Sequence, residues 1–173
     1  YAKEQQVVID ISFFSEKLFY FTSGYPFLVS YLCKIIAEEI LPAGSKREWR
    51  PNDLVKALQV SLTENNTNFD SLIKNLENNP ELYEFVFDII MNEREFSYNT
   101  DNPMIGFGVI YGILRGDGER TKIHNRLYEQ RIYNYMASKM ETSGALRYHH
   151  VSASYIEEDG TLNIEKVMRK FQE

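Results

Sequence analysis

The run Ile113-Leu114-Arg115-Gly116-Asp117-Gly118-Glu119-Arg120-Thr121-Lys122-Ile123-His124-Asn125 decides how this chain is read. Two short β-like stretches, residues 113–115 and 120–124, flank the turn Arg115-Gly116-Asp117-Gly118-Glu119. Glycine adopts positive φ without steric cost, so Gly116 and Gly118 are expected to close a tight hairpin. After the hairpin, Asn125 is placed to cap a long helix carrying Tyr128, Ile132, Tyr135 and Met136 on one face. Before it, Asp101-Asn102-Pro103 opens a helix with Met104, Phe107, Tyr111 and Leu114 at helical spacing. That helix is expected to be buried. Further back, Phe96 and Tyr98 alternate with polar residues, as a short strand does. Helix, short strand, helix, hairpin, helix is the order of a winged-helix domain, assigned to residues 79–140.

Helical periodicity fills the chain upstream. Residues 11–22 place Ile11, Phe14, Leu18 and Phe21 on one face. Ser23-Gly24-Tyr25-Pro26 interrupts them, with Gly24 as a helix stop and Pro26 in the first turn of the next helix. That helix carries an apolar stripe of Leu28, Leu32, Ile36 and Ile40 and a polar one of Ser30, Lys34 and Glu38. Pro42-Ala43-Gly44-Ser45 ends it, and a third helix begins near Pro51 with Leu54, Val55, Leu58 and Leu62 inward. A fourth shows Phe69, Leu72, Ile73 and Leu76. Asn79 is expected to cap a fifth that buries Leu82, Phe85, Val86, Ile89 and Ile90. These segments describe a helical lid over residues 1–78. Residues 141–173 form a connector, loop-like at first, ending in an amphipathic helix with Ile164, Val167, Met168 and Phe171 on its stripe. The fold class is mainly α: a helical lid followed by a winged-helix-like domain with a small β-hairpin wing.

Of the 173 residues 43% are hydrophobic and 14% aromatic, ample for a packed core. The formal charge of −6 disfavours a surface that embraces nucleic acid on all sides. A single cysteine, Cys33, allows no internal disulfide and suits the cytoplasm. No apolar run approaches the length of a membrane span. The start at Tyr1-Ala2-Lys3-Glu4, without Met, suggests a fragment of a longer protein.

Motifs for chemistry are sparse. No GxxxxGK[ST] loop occurs, and Gly106, Gly108 and Gly112 do not form a GxGxxG fingerprint, so they are read as close helix packing. His149-His150 has no metal-ligand spacing to the acids that follow. Cys33 sits among Leu32, Ile35 and Ile36, as a core filler does. No catalytic or metal site is assigned. Arg115, Arg120, Lys122 and Arg126 are the candidate nucleic-acid contacts of the wing. Asp117, Glu119 and Glu129 oppose them, and the candidate recognition helix offers no Arg, Lys, Asn or Gln after its start to read base edges.

The segment from Tyr20 to Lys34, which contains Gly24-Tyr25-Pro26, resembles the lid of bacterial AAA-like P-loop ATP-binding proteins of the archaeal-type and STAND group. The resemblance continues through Asn68-Phe69-Asp70-Ser71-Leu72, Pro80-Glu81-Leu82 and Tyr98-Asn99, and is clearest from Ile123-His124-Asn125-Arg126 to Tyr135. It implies that Gly24, Tyr25 and Pro26 form a glycine-any-proline motif that touches nucleotide. It further implies a P-loop core before this segment, ATP with Mg as that core's ligands, and a C-terminal domain, nuclease-like of the PD-(D/E)xK type in similar proteins. Relatives in that group often carry Arg where this chain has Tyr31. The expectation is therefore a non-catalytic lid and winged helix that couples nucleotide state to a C-terminal effector. Alternatives are a nucleic-acid-binding winged helix and a protein-interaction module working through exposed aromatics.

Overall fold

The computed structural model describes residues 7–41, 48–64 and 66–143. Among them the order is α1 (Ile11–Thr22), α2 (Pro26–Lys34), a π-helical turn (Ile35–Ile40), α3 (Pro51–Thr63), α4 (Thr67–Glu77), α5 (Pro80–Ile90), α6 (Pro103–Ile110), β1 (Leu114–Asp117), β2 (Arg120–Ile123) and α7 (Arg126–Ser143). The fold is mainly helical with one small antiparallel hairpin, as the periodicity predicts. None of the described helices is long and apolar enough to cross a membrane. The chain divides into two compact units, Tyr1–Tyr133 and Asn134–Glu173. Only the end of α7 is described in the second, so the helix expected at residues 163–171 lies outside the described residues.

The Asp10 carboxylate caps α1 by accepting the Phe13 amide at 3.0 Å. The buried face of α1 is Phe14, Leu18 and Thr22. Ile11, expected inward, is 69% exposed. Thr22 can be buried because its hydroxyl donates to the Leu18 carbonyl at 2.6 Å. Beyond α2, Leu41 N–H reaches back to the Ile36 carbonyl at 3.1 Å, which widens the helix by one residue. The wider turn puts the adjacent Ile35 and Ile36 into the core together with Phe14, Leu18, Leu32, Trp49, Leu54 and Ala57. Full burial contributes about 1.5–3 kcal/mol for each large aliphatic side chain there. Val55 points outward and Ala57 takes the inward position instead. Trp49 meets Phe14 edge to face at 5.3 Å. The chain's single tryptophan and single cysteine, Trp49 and Cys33, line one apolar hollow of about 550 Å³ with Val7, Ile9, Phe14 and Leu18. Burial pushes the Cys33 thiol up, away from the reactive thiolate.

Further along the chain, Asn66 caps α4 by accepting the Asn68 amide at 2.8 Å. Asn79 stands at the N-cap position of α5 but does not cap it with its side chain. Its amide donates instead to the Asn75 carbonyl at 2.7 Å, tying α5 to the end of α4. The hairpin pairs Leu114 with Ile123 and Asp117 with Arg120, so the turn is Gly118-Glu119. Gly118 has φ +63°. Gly116 does not turn the chain: it lies within β1, where an added Cβ would sit 2.8 Å from the Tyr98 ring. Tyr98 N–H donates to the Glu119 carbonyl and Thr121 N–H to the Phe96 carbonyl, both at 2.8 Å. Ser97 therefore forms an isolated antiparallel bridge with Arg120 beside β2, and the full strand that the alternation of Phe96 and Tyr98 predicts does not form.

The orientation of α6 reverses the expectation. Its buried residues are Ile105 and Gly108, while Phe107, Ile110 and Tyr111 face outward. Glycine decides this. A Cβ on Gly108 would lie 2.3 Å from Leu114 Cδ1, and one on Gly106 3.0 Å from the Thr100 carbonyl oxygen. Only Gly108 leaves room for Leu114 of β1 against the helix, and the bulky Phe107 and Ile110 lie away from that contact.

Candidate functional site at the lid turn and the wing

Two left-handed residues in succession, Ser23 at φ 50° and Gly24 at φ +75°, end α1 and reverse the chain into α2. At Gly24 a Cβ would approach the Phe19 ring to 3.3 Å, so the position suits glycine on both counts. Pro26 then starts α2 with its preset φ. The turn uses its own donors. Ser23 N–H goes to the Phe19 carbonyl at 2.8 Å, Gly24 N–H to the Thr22 hydroxyl at 3.2 Å, and Tyr25 N–H to the Thr22 carbonyl at 3.0 Å. Residues 23–25 thus present no open amide nest for a phosphate.

Tyr25 brings this turn to the wing. Its ring centroid lies 5.9 Å from that of His124, edge to face, and 5.9 Å from that of Tyr128. Tyr128 OH donates to Asn68 Oδ1 at 2.6 Å. Burial, followed by the neighbouring Tyr25, pushes the Tyr128 phenol far up, so it remains a donor at any physiological pH. Asn125 caps α7 by accepting the Tyr128 amide at 2.9 Å, and its Nδ2 lies 3.3 Å from His124 Nδ1. Burial and then the Arg115 cation hold the His124 pKa below its ordinary value, so the ring stays neutral. Arg115 Nε donates to the His124 carbonyl at 3.0 Å. The start of α2, the start of α4, the end of β2 and the start of α7 therefore meet around one aromatic cluster.

The four wing cations also converge. Arg115, Arg120, Lys122 and Arg126 line one cleft of about 450 Å³, bounded by Tyr20 and Ser23 on the lid side. Three of them are paired locally. Lys122 Nζ lies 2.6 Å and Arg115 Nη1 3.9 Å from the Asp117 carboxylate, which these cations hold below the usual carboxylate range. Arg120 is bonded to Glu95. The Arg126 guanidinium lies over the Tyr20 ring at 4.2 Å. Tyr31 donates to Glu64 at 3.1 Å and stacks on Phe27.

Among the described residues no group of three His, Cys, Asp or Glu side chains could hold a metal ion. The sequence pattern places His124 at the end of the second hairpin strand and gives no sign of its contact with the Gly24-Tyr25-Pro26 turn. Nothing local signals that contact, since it joins segments far apart in the chain. Comparison with protein-family models, with curated proteins and with solved structures gives no match for this chain.

Proposed function

We propose that this chain is the regulatory lid and winged helix of a P-loop ATPase, and that it passes nucleotide state to a C-terminal effector. The observation that carries the proposal is the seating of Tyr25 against His124 and Tyr128. A movement of the lid turn cannot leave the wing unaffected while that cluster holds. Differential affinity of a lid for one nucleotide state is what drives such a movement.

The chemistry offered is that of an outer wall. Amides of residues 23–25 are used within the turn, so Gly24 and Tyr25 suit a base or ribose rather than a phosphate. The α2 N-terminus has no side-chain cap, which leaves first-turn donors for an oxygen of the ligand. No GxxxxGK[ST] occurs in the 173 residues. The phosphates and Mg of ATP would thus be held by a separate P-loop core, the partner this reading requires, with the effector domain as the second. The coding region tests this directly. A GxxxxGK[ST] loop in frame upstream of Tyr1 is expected, and an upstream frame without one overturns the proposal.

A further inference from the structure

The helix α6 stands where a winged-helix domain carries its recognition helix, yet its outward face is apolar. Met104, Phe107, Ile110 and Tyr111 follow one another at helical spacing, with Phe107 46%, Ile110 77% and Tyr111 37% exposed. Beside them a groove of about 320 Å³ runs between α6 and the start of α5, lined by Asn79, Pro80, Glu81, Leu82, Met104 and Phe107. We propose that this stripe and groove are a docking surface for a basic amphipathic helix of another protein.

Charge selects the occupant. The sequence holds no Lys or Arg between Lys74 and Arg94, and none between Arg94 and Arg115. The two elements that wall the groove therefore contribute no cation, while Glu81, Glu84 and Asp101 are exposed on and beside them. Such a rim repels nucleic-acid phosphates and attracts Lys and Arg. It also repels a second copy of itself. Area argues the same way. Two exposed side chains on an eight-residue helix, and a third at its C-cap, fall well short of the roughly 800 Å² per partner of a standard dimer interface. They match one amphipathic helix, whose anchors at i, i+3, i+4 and i+7 lie along a stripe and drop a side chain into a groove.

The probe is a fluorescein-labelled peptide of about 14 residues, roughly four turns. It carries Leu at i, i+3, i+4 and i+7 and Lys elsewhere. The control has Glu in place of Lys. Anisotropy titrations against the full chain are expected to show binding of the Lys peptide only. Ile110→Asp should weaken it about tenfold or more. That change adds negative charge, so attraction by charge alone would grow. Glu81→Lys with Glu84→Lys should weaken it too. Amide-shift mapping should place the contact at residues 78–82 and 103–111. Equal affinity of the parent and Ile110→Asp chains, equal binding of both peptides, no binding of the Lys peptide, or shifts confined elsewhere each overturn the proposal. So does a dimer in sedimentation that Ile110→Asp dissolves. Circular dichroism confirms that the variants remain folded, which the exposure of Ile110 favours.

Discussion

Histidine is the side chain whose ordinary pKa lies close to neutrality, and His124 is partly buried in the cluster. Its folded pKa is depressed by burial and by Arg115. The unfolded chain takes up that proton near the ordinary value of about 6.5. Above that value the ring is neutral in both states and its contribution to stability is complete. As pH falls below it the unfolded chain binds more protons than the folded one, so stability drops until the folded ring also titrates. The thermal midpoint of the parent chain should therefore fall more steeply between about pH 7.5 and about pH 5.5 than that of His124→Gln. Parallel slopes in calorimetry would show that the imidazole is not linked to folding.

Gly108 governs the element that carries the apolar stripe. Alanine is the better helix former by about 1 kcal/mol. Here its methyl would meet Leu114 at 2.3 to 2.6 Å, and Leu114 is almost wholly buried. Overpacking of that kind costs about 1–3 kcal/mol, so Gly108→Ala should destabilise the chain by up to roughly 2 kcal/mol net. Urea unfolding with an unchanged slope and a lower midpoint is the expected record. A raised midpoint would mean that α6 can slide off β1. The same helix marks where sequence stops informing structure. Helices α4 and α5 were legible because polar residues oppose Leu72, Leu76, Leu82 and Val86 at a 3.6-residue period. In Pro-Met-Ile-Gly-Phe-Gly-Val-Ile, residues 103–110, no charged residue marks an outer face, so the period cannot say which side is inner. Tertiary approach settles it through the glycines. Gly118 was legible as a turn residue, whereas Gly116 answers to Tyr98, a neighbour that only the fold supplies. In the candidate site Gly24-Tyr25-Pro26 announced a reversal, but its meeting with His124 is a long-range fact that no local spacing encodes.

Across the molecule, the charges that suggested a DNA surface largely answer one another. Asp117 holds Arg115 and Lys122, Glu95 holds Arg120, and Arg126 rests on Tyr20. With a net charge of −6, duplex binding should be weak, independent of sequence, and abolished between about 50 and 200 mM salt. An anisotropy titration showing preference for one duplex at about 150 mM salt would instead favour a DNA-reading wing. The hollow shared by Trp49 and Cys33 has a practical consequence at this scale. The chain's only indole is packed on Phe14 inside the lid, so intrinsic fluorescence excited in the indole band reports on that one place. Circular dichroism instead sums over every helix. If emission and ellipticity melt together, lid and wing unfold as a single cooperative body; if the emission shifts first, the lid has its own, earlier transition.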